Sequence, residues 1–310
     1  MNTTIQSTLS EESESVSVNS AKTIRRLLSN NFTNLDWLSL VTIISLVACL
    51  YYKIFLKLVF DWYTLPDFSH GFLIPFFAVY ILWNKKHDLR KLPVRPMWFG
   101  ILIVLTSMLV LLAGIYGAEL FLSRISFIFL IAGLIITFYG WDFLRELKVI
   151  ILLLVLSIPI PAIIFNQITF PLQLLASQIA AISLQILGVP VLRDGNVIQL
   201  ATIRLEVAEA CSGIRSLMSL FTLSILYGYF IEDRRSHRIL LAIASVPIAV
   251  AANSVRIIGT GLCVQYWDPD RALGFFHEFS GWVMFIVSLL CLYCLHLAMQ
   301  FFSRDNEASK

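Results

Sequence analysis

Charge is scarce in this sequence: 14% of its 310 residues are Asp, Glu, Lys or Arg, against 58% hydrophobic, and the mean hydropathy is +0.81. That apolar share is far above a soluble domain's and excludes a soluble globular fold. The question becomes how many membrane spans the chain holds. A continuous basic face is also missing. The net charge is +3, but Lys and Arg fall in short clusters between apolar runs, which argues against a nucleic-acid partner and makes them topology markers.

Other absences narrow the chemistry. Five cysteines, an odd number with no paired spacing in a polar loop, supply no disulfide framework. Cys49, Cys263, Cys291 and Cys294 lie in or at the edge of apolar runs, where cysteine packs as a small hydrophobe. The Cys291-x-x-Cys294 pair has neither the strand–turn setting of a thiol redox site nor a second pair for zinc. His277-Glu278-Phe279-Ser280-Gly281 lacks the second histidine of a zinc-protease helix. No Gly-x-Ser-x-Gly elbow, phosphate loop or internal repeat is present. No metal or cofactor is expected.

What is present is an all-α polytopic pattern. Apolar runs cover roughly 37–60, 67–84, 97–115, 121–140, 149–165, 212–230, 239–262 and 281–302, about eight transmembrane helices. The second is interrupted by Pro66 and Pro75. A ninth run, 166–188, carries Gln173, Ser177, Gln178, Ser183 and Gln185, and is expected to lie along the outer surface or re-enter. Residues 190–209 hold Arg193-Asp194-Gly195-Asn196 between alternating segments, the signature of a small extracytoplasmic hairpin before the sixth span.

Basic loops set the expected orientation. Lys22, Arg25 and Arg26, then Lys85, Lys86, Arg90, Lys91 and Arg95, then Arg145 and Lys148, then Arg234, Arg235 and Arg238 fall on one side, the cytoplasm. The loops holding Asp61 and Asp67, Glu119 beside Arg124, and Asp268, Asp270 and Glu278 around Arg271 face outward. Residues 1–30, rich in Ser, Thr, Asn and Glu and without a cleavable-signal pattern, read as a disordered cytoplasmic tail. The membrane domain is expected over 31–303, followed by a short cytoplasmic tail over 304–310.

Three residues distant in sequence converge on the outer leaflet. Cys211 stands at the N-terminus of the sixth span, where open N–H groups and the helix dipole favour a thiolate. Counting inward along that span and back up the next returns Arg256 to its level, and His277 precedes the last span in an outer loop. A thiolate attacks a carbonyl, an imidazole moves the proton and a guanidinium stabilises the oxyanion. Each residue also has a plain reading: Arg256 snorkelling to the surface, His277 solvated in its loop, Cys211 packed.

Four ordered motifs resemble the exosortase/archaeosortase membrane proteases over nearly all of residues 37–300. Glu209-Ala210-Cys211-Ser212-Gly213-Ile214-Arg215-Ser216 is similar to the family's cysteine segment, Ala252-Asn253-Ser254-Val255-Arg256-Ile257 to its arginine segment, and His277 ahead of Gly281 and Trp282 to its histidine segment. Ser69-His70-Gly71-Phe72-Leu73-Ile74-Pro75 resembles an early segment of the bacterial members.

The resemblance implies a multi-pass inner-membrane protease, also a transpeptidase, with both termini cytoplasmic and its active site outside. Its substrates would be secreted proteins ending in a sorting tail of short motif, transmembrane helix and basic end. In bacteria that tail is typically the PEP-CTERM type, linked to exopolysaccharide. Cys211 would be the nucleophile, His277 the acid/base and Arg256 the oxyanion partner. The partners would be those secreted proteins, the membrane lipids and a separate accessory protein if one is needed.

Arg215, one turn below Cys211, is a second cation able to hold the thiolate or a substrate carboxylate. Glu209 is a candidate for orienting a cation, and Asn253 for bonding the substrate backbone. No chemistry attaches to His70, which either supports the site or caps the second span. The competing reading is a membrane acyltransferase carrying an acyl thioester on Cys211. A transporter or channel would instead place charges near mid-membrane.

Overall fold

The structure, a computed structural model, describes residues 37–201, 203–206, 213–267 and 275–308, with side chains at all but 37, 206, 213–216, 275–278 and 304–308. Helix is the form this composition dictates, because hydrocarbon offers no partner to an open backbone N–H or C=O. The helices are α1 (Trp37–Thr64), α2 (Ile74–Lys91), α3 (Phe99–Tyr116), α4 (Leu120–Phe138), α5 (Trp141–Glu146) and α6 (Lys148–Leu156). They continue as α7 (Ala162–Ile186), α8 (Gly213–Ile231), α9 (Arg235–Tyr266) and α10 (Phe275–Ala308). A 3₁₀ helix, Pro66–Phe72, follows α1, and strands β1 (Leu192–Asp194), β2 (Val197–Gln199) and β3 (Arg204–Glu206) stand between α7 and α8.

The all-α polytopic fold read from the sequence is the fold of the chain. Among the described residues six helices are long and apolar enough to cross a membrane: α1, α3, α4, α7, α9 and α10. α8 adds a shorter apolar stretch, Leu217–Ile231. Three departures from the expected runs have physical causes. The 67–84 run does not begin as a span: Pro66 opens a 3₁₀ turn, and α2 starts only at Ile74. The 149–165 run breaks where Pro159 and Pro161 end α6 at Leu156, leaving a helix of about 13 Å, too short to cross alone. The 166–188 run, expected to lie along the outer surface or re-enter, belongs to the 25-residue α7, which is long and apolar enough to cross. Its serines are satisfied: Ser183 donates to Ile179 O (2.8 Å) and Ser177 to Leu174 O (2.9 Å) and Gly195 O (3.0 Å).

Two compact units result, one running to Val59 and over Pro75–Val155, the other comprising Phe60–Ile74 and the chain from Leu156 on. In the first, α3 and α4 form a tight antiparallel pair, and Tyr51, Leu111 and Leu130 build the core, with Tyr51 O–H against Ser126 Oγ at 2.9 Å. Two basic loops expected on one side meet here: Lys85 pairs with Glu146, and Arg95 N donates to Tyr139 O (3.1 Å).

In the second unit α9 packs against α7, α8 and α10. The expected hairpin is present and gains a third strand, in the antiparallel order β1-β2-β3. Asp194 pairs with Val197 across a two-residue Gly195-Asn196 turn, where φ of +60° at Gly195 suits glycine. Ile198, Leu200 and Leu205 bury one face of the sheet against Ala180 and Leu184 of α7 and Ile257 and Val264 of α9. β3 thereby delivers the chain towards the start of α8.

Candidate active site

α8 and α9 run antiparallel, and that register levels the two site-bearing segments. Gly228 lies against Arg238, where an added Cβ would sit 3.4 Å from the Arg238 Cα. Leu217 shares a core cluster with Ala249. Fifteen residues back along α8 from Gly228 and fifteen forward along α9 from Arg238 bring Gly213 about level with Asn253. Arg256 is one turn further along α9.

Arg256 does not snorkel. It is 8% exposed, and its Nε donates to Ser280 Oγ of α10 at 3.3 Å. Gly281 completes the seat: a Cβ there would lie 3.3 Å from a guanidinium nitrogen and 3.4 Å from Cζ, tighter than ordinary contact. The arginine segment and the histidine segment, 24 residues apart at this bond, are therefore joined by a specific contact. An arginine inside a membrane helix is costly unless it faces a cavity or a partner, and here it faces a partner.

The other candidates are placed as follows. His277 is helical, in the first turn of α10 and not in a loop, three positions before Ser280 and four before Gly281, hence on the same helix face by spacing. Its side chain lies outside the described residues, as does that of Arg215 in the first turn of α8. Cys211, two residues before Gly213, and Glu209 lie outside the described residues altogether. Asn253 is 8% exposed and its Oδ1 has no hydrogen-bond partner among the described residues. It lines a small cavity with Gln173 and Ala176 of α7 and Leu217 of α8.

His70 is committed to the break after α6. It is buried in the 3₁₀ helix with Nε2 3.2 Å from Leu156 O. Burial lowers its pKa, against the opposing pull of the Leu156 and Asp67 carbonyls, so it stays neutral near pH 7. Beside it Trp62 Nε1 donates to Ser157 O at 2.7 Å, and the indole covers Gly71 so closely that no Cβ fits. This turn packs against α8. The Ser-His-Gly motif is thus a brace on the helix that follows Cys211.

Sequence reasoning missed two features. Ser280 carried no signal beyond its place in the histidine segment. The second is a buried polar knot at the opposite ends of α8, α9 and α10: Glu232 Oε2 accepts from His296 Nε2 (3.1 Å), whose Nδ1 faces Tyr227 O–H (2.7 Å), and His237 Nδ1 lies 3.3 Å from the same oxygen. Burial alone would raise the Glu232 pKa. The Arg234 N–H and the two imidazoles outweigh it and hold the carboxyl below its ordinary value. Four of these residues had looked like spans and a basic loop. Among the described residues no group of His, Cys, Asp and Glu is arranged to hold a metal ion.

Buried arginine on one apolar helix, seated by a serine and a glycine on the next, defines a polytopic membrane protein whose polar site is built from span ends. The chain belongs to the transmembrane exosortase family, whose model matches residues 62–294 and so includes the cysteine, arginine and histidine segments. That membership suggests a membrane protease or transpeptidase of protein sorting. No curated protein and no solved structure matches the chain.

Proposed function

We propose that this exosortase is a cysteine protease, and a transpeptidase when an amine completes the reaction, acting on secreted proteins with a PEP-CTERM type tail at the outer face of the inner membrane. The Cys211 thiolate attacks the scissile carbonyl. A C–S bond forms, Arg256 holds the developing oxyanion, and the C–N bond breaks as His277 gives its proton to the leaving amine. Water or an acceptor amine, losing a proton to His277, then attacks the thioester. The C–S bond breaks and the thiolate returns.

What supports this reading most is the seating of Arg256 on Ser280 and Gly281, because it ties the arginine segment to the turn holding His277 at the level where α8 begins. The outward sense rests on the basic loops, two of which meet at one end of their unit through Lys85 and Glu146. The test is co-expression with a secreted reporter that carries a C-terminal tail from the same genome. Wild type is expected to remove the tail and Cys211→Ala to leave it. Equal processing by Cys211→Ala would remove the nucleophile.

A further inference from the structure

We infer that Asn253 receives a main-chain N–H on the leaving-group side of the scissile bond, two residues beyond the carbonyl that Arg256 holds. This rests on the reading proposed above. Asn253 presents a buried carbonyl oxygen with no partner among the described residues, and only a donor can satisfy it. Asn253 lines a cavity of about 20 Å³, room for roughly one water or one methyl group, walled also by Leu172, Ala176, Leu217, Ala249 and Val250. Gln173, the other polar residue there, already accepts from Asn196 Nδ2 at 3.3 Å.

The spacing to Arg256 selects which N–H. Asn253 and Arg256 stand three apart on one face of α9, about 5–6 Å between Cβ atoms. In an extended chain, residues i and i+2 turn their main-chain groups to the same side, and the C=O of i lies roughly 5 Å from the N–H of i+2. The N–H and C=O of a single residue are only about 3 Å apart, a poorer match to the roughly 5–6 Å helix spacing of the two side chains.

Direction agrees independently. Asn253 is the nearer of the two to the basic end of α9, so a chain running from Arg256 to Asn253 heads into the membrane. A sorting tail must do the same, since its apolar helix follows the cut. Ala176 and Ala249 then admit no more than a methyl-sized side chain from the residue bound there.

Asn253 is a positioning residue for the first half-reaction alone, because the residue it binds departs with the amine. The test uses the full-length protein in detergent and two substrates whose cut is mapped by the reporter's mass. One is the whole tail peptide; the other is a phenyl thioester of the residues before the cut, with nothing beyond. Asn253→Leu is expected to lower kcat/KM on the tail by about 10–100-fold, with thioester turnover within about twofold of wild type. Equal loss on both substrates, or loss on neither, overturns the assignment.

A substrate change keeps the test independent of whether the variant folds. N-methylation at the second residue past the cut should slow wild type by about 10–100-fold, while methylation at the fourth should not. No difference between the two positions overturns the assignment as well. Tail cleavage by Cys211→Ala at the wild-type rate would instead refute the protease mechanism itself, whatever Asn253 does.

Discussion

Arg256 does its work through geometry as well as charge. Its fork meets Ser280 and is backed by a glycine, so Arg256→Lys keeps the cation and loses the planar seat. The expected result is a fall in kcat on the tail of about 10²–10³-fold, the scale of a lost oxyanion donor, at a nearly unchanged melting temperature. Gly281→Ala should cost less and Gly281→Val more, because the first Cβ already lies 3.3 Å from the guanidinium. Cys263→Ala, away from these segments, should process the reporter as wild type does. At this scale the sequence was explicit about residue types and their order, since Cys, Arg and His each sit in a distinct local spelling. It was silent on Ser280, because a lone serine near a span end has no pattern of its own. The burial of Asn253 also depends on α7, 80 residues upstream at Gln173.

Between elements, the 3₁₀ turn and the far-end knot carry the predictions. Gly71 has no room for a side chain beneath Trp62, so Gly71→Ala should destabilise by about 1–3 kcal/mol. It should also lower activity through the α8 contact, read as a lower melting temperature and reduced tail cleavage together. The knot gives a pH dependence with a definite sign. The Glu232 carboxyl is held below its ordinary value, so its contribution is fully present above the unfolded carboxylate range and is lost as pH falls through the lower folded value. Melting temperature should therefore drop on the acid limb for wild type. In Glu232→Gln that limb should flatten, and the variant should be less stable at pH 7 by about 1–3 kcal/mol, since a neutral amide replaces the carboxylate that buried His296 and half-buried His237 face.

Element boundaries were legible where a single local rule decides them. The turn at Gly195-Asn196 is of that kind; the helix start after Pro161 obeys an equally local rule, but the apolar residues on both sides of the prolines hid it inside one expected run. The full extent of α7 was hidden because Gln and Ser lower its hydropathy. Ser177 instead spends its hydroxyl on its own helix and on the hairpin that follows, a tertiary fact. The knot was invisible because Tyr227, Glu232, His237 and His296 are spread over about 70 residues and meet only when three helices pack.

For the whole molecule, apolar composition alone excluded every soluble class, and the polytopic fold followed from it. Orientation is a further step that the basic loops support. A reporter tag inserted after Asp233 should be reachable only from the cytoplasm, and one inserted at Gly195 only from outside; the reverse pattern would move the reaction to the wrong face.

The central claim is a thioester between Cys211 and the carbonyl of the secreted protein. It is tested most directly by quenching the protein during turnover of the reporter and weighing the proteolytic peptide that contains Cys211. The account predicts an added mass equal to the reporter's residues up to the cut, released by neutral hydroxylamine and absent in Cys211→Ala. A fatty acyl chain at that position, or a bare Cys211 while the reporter is being cleaved, would contradict it.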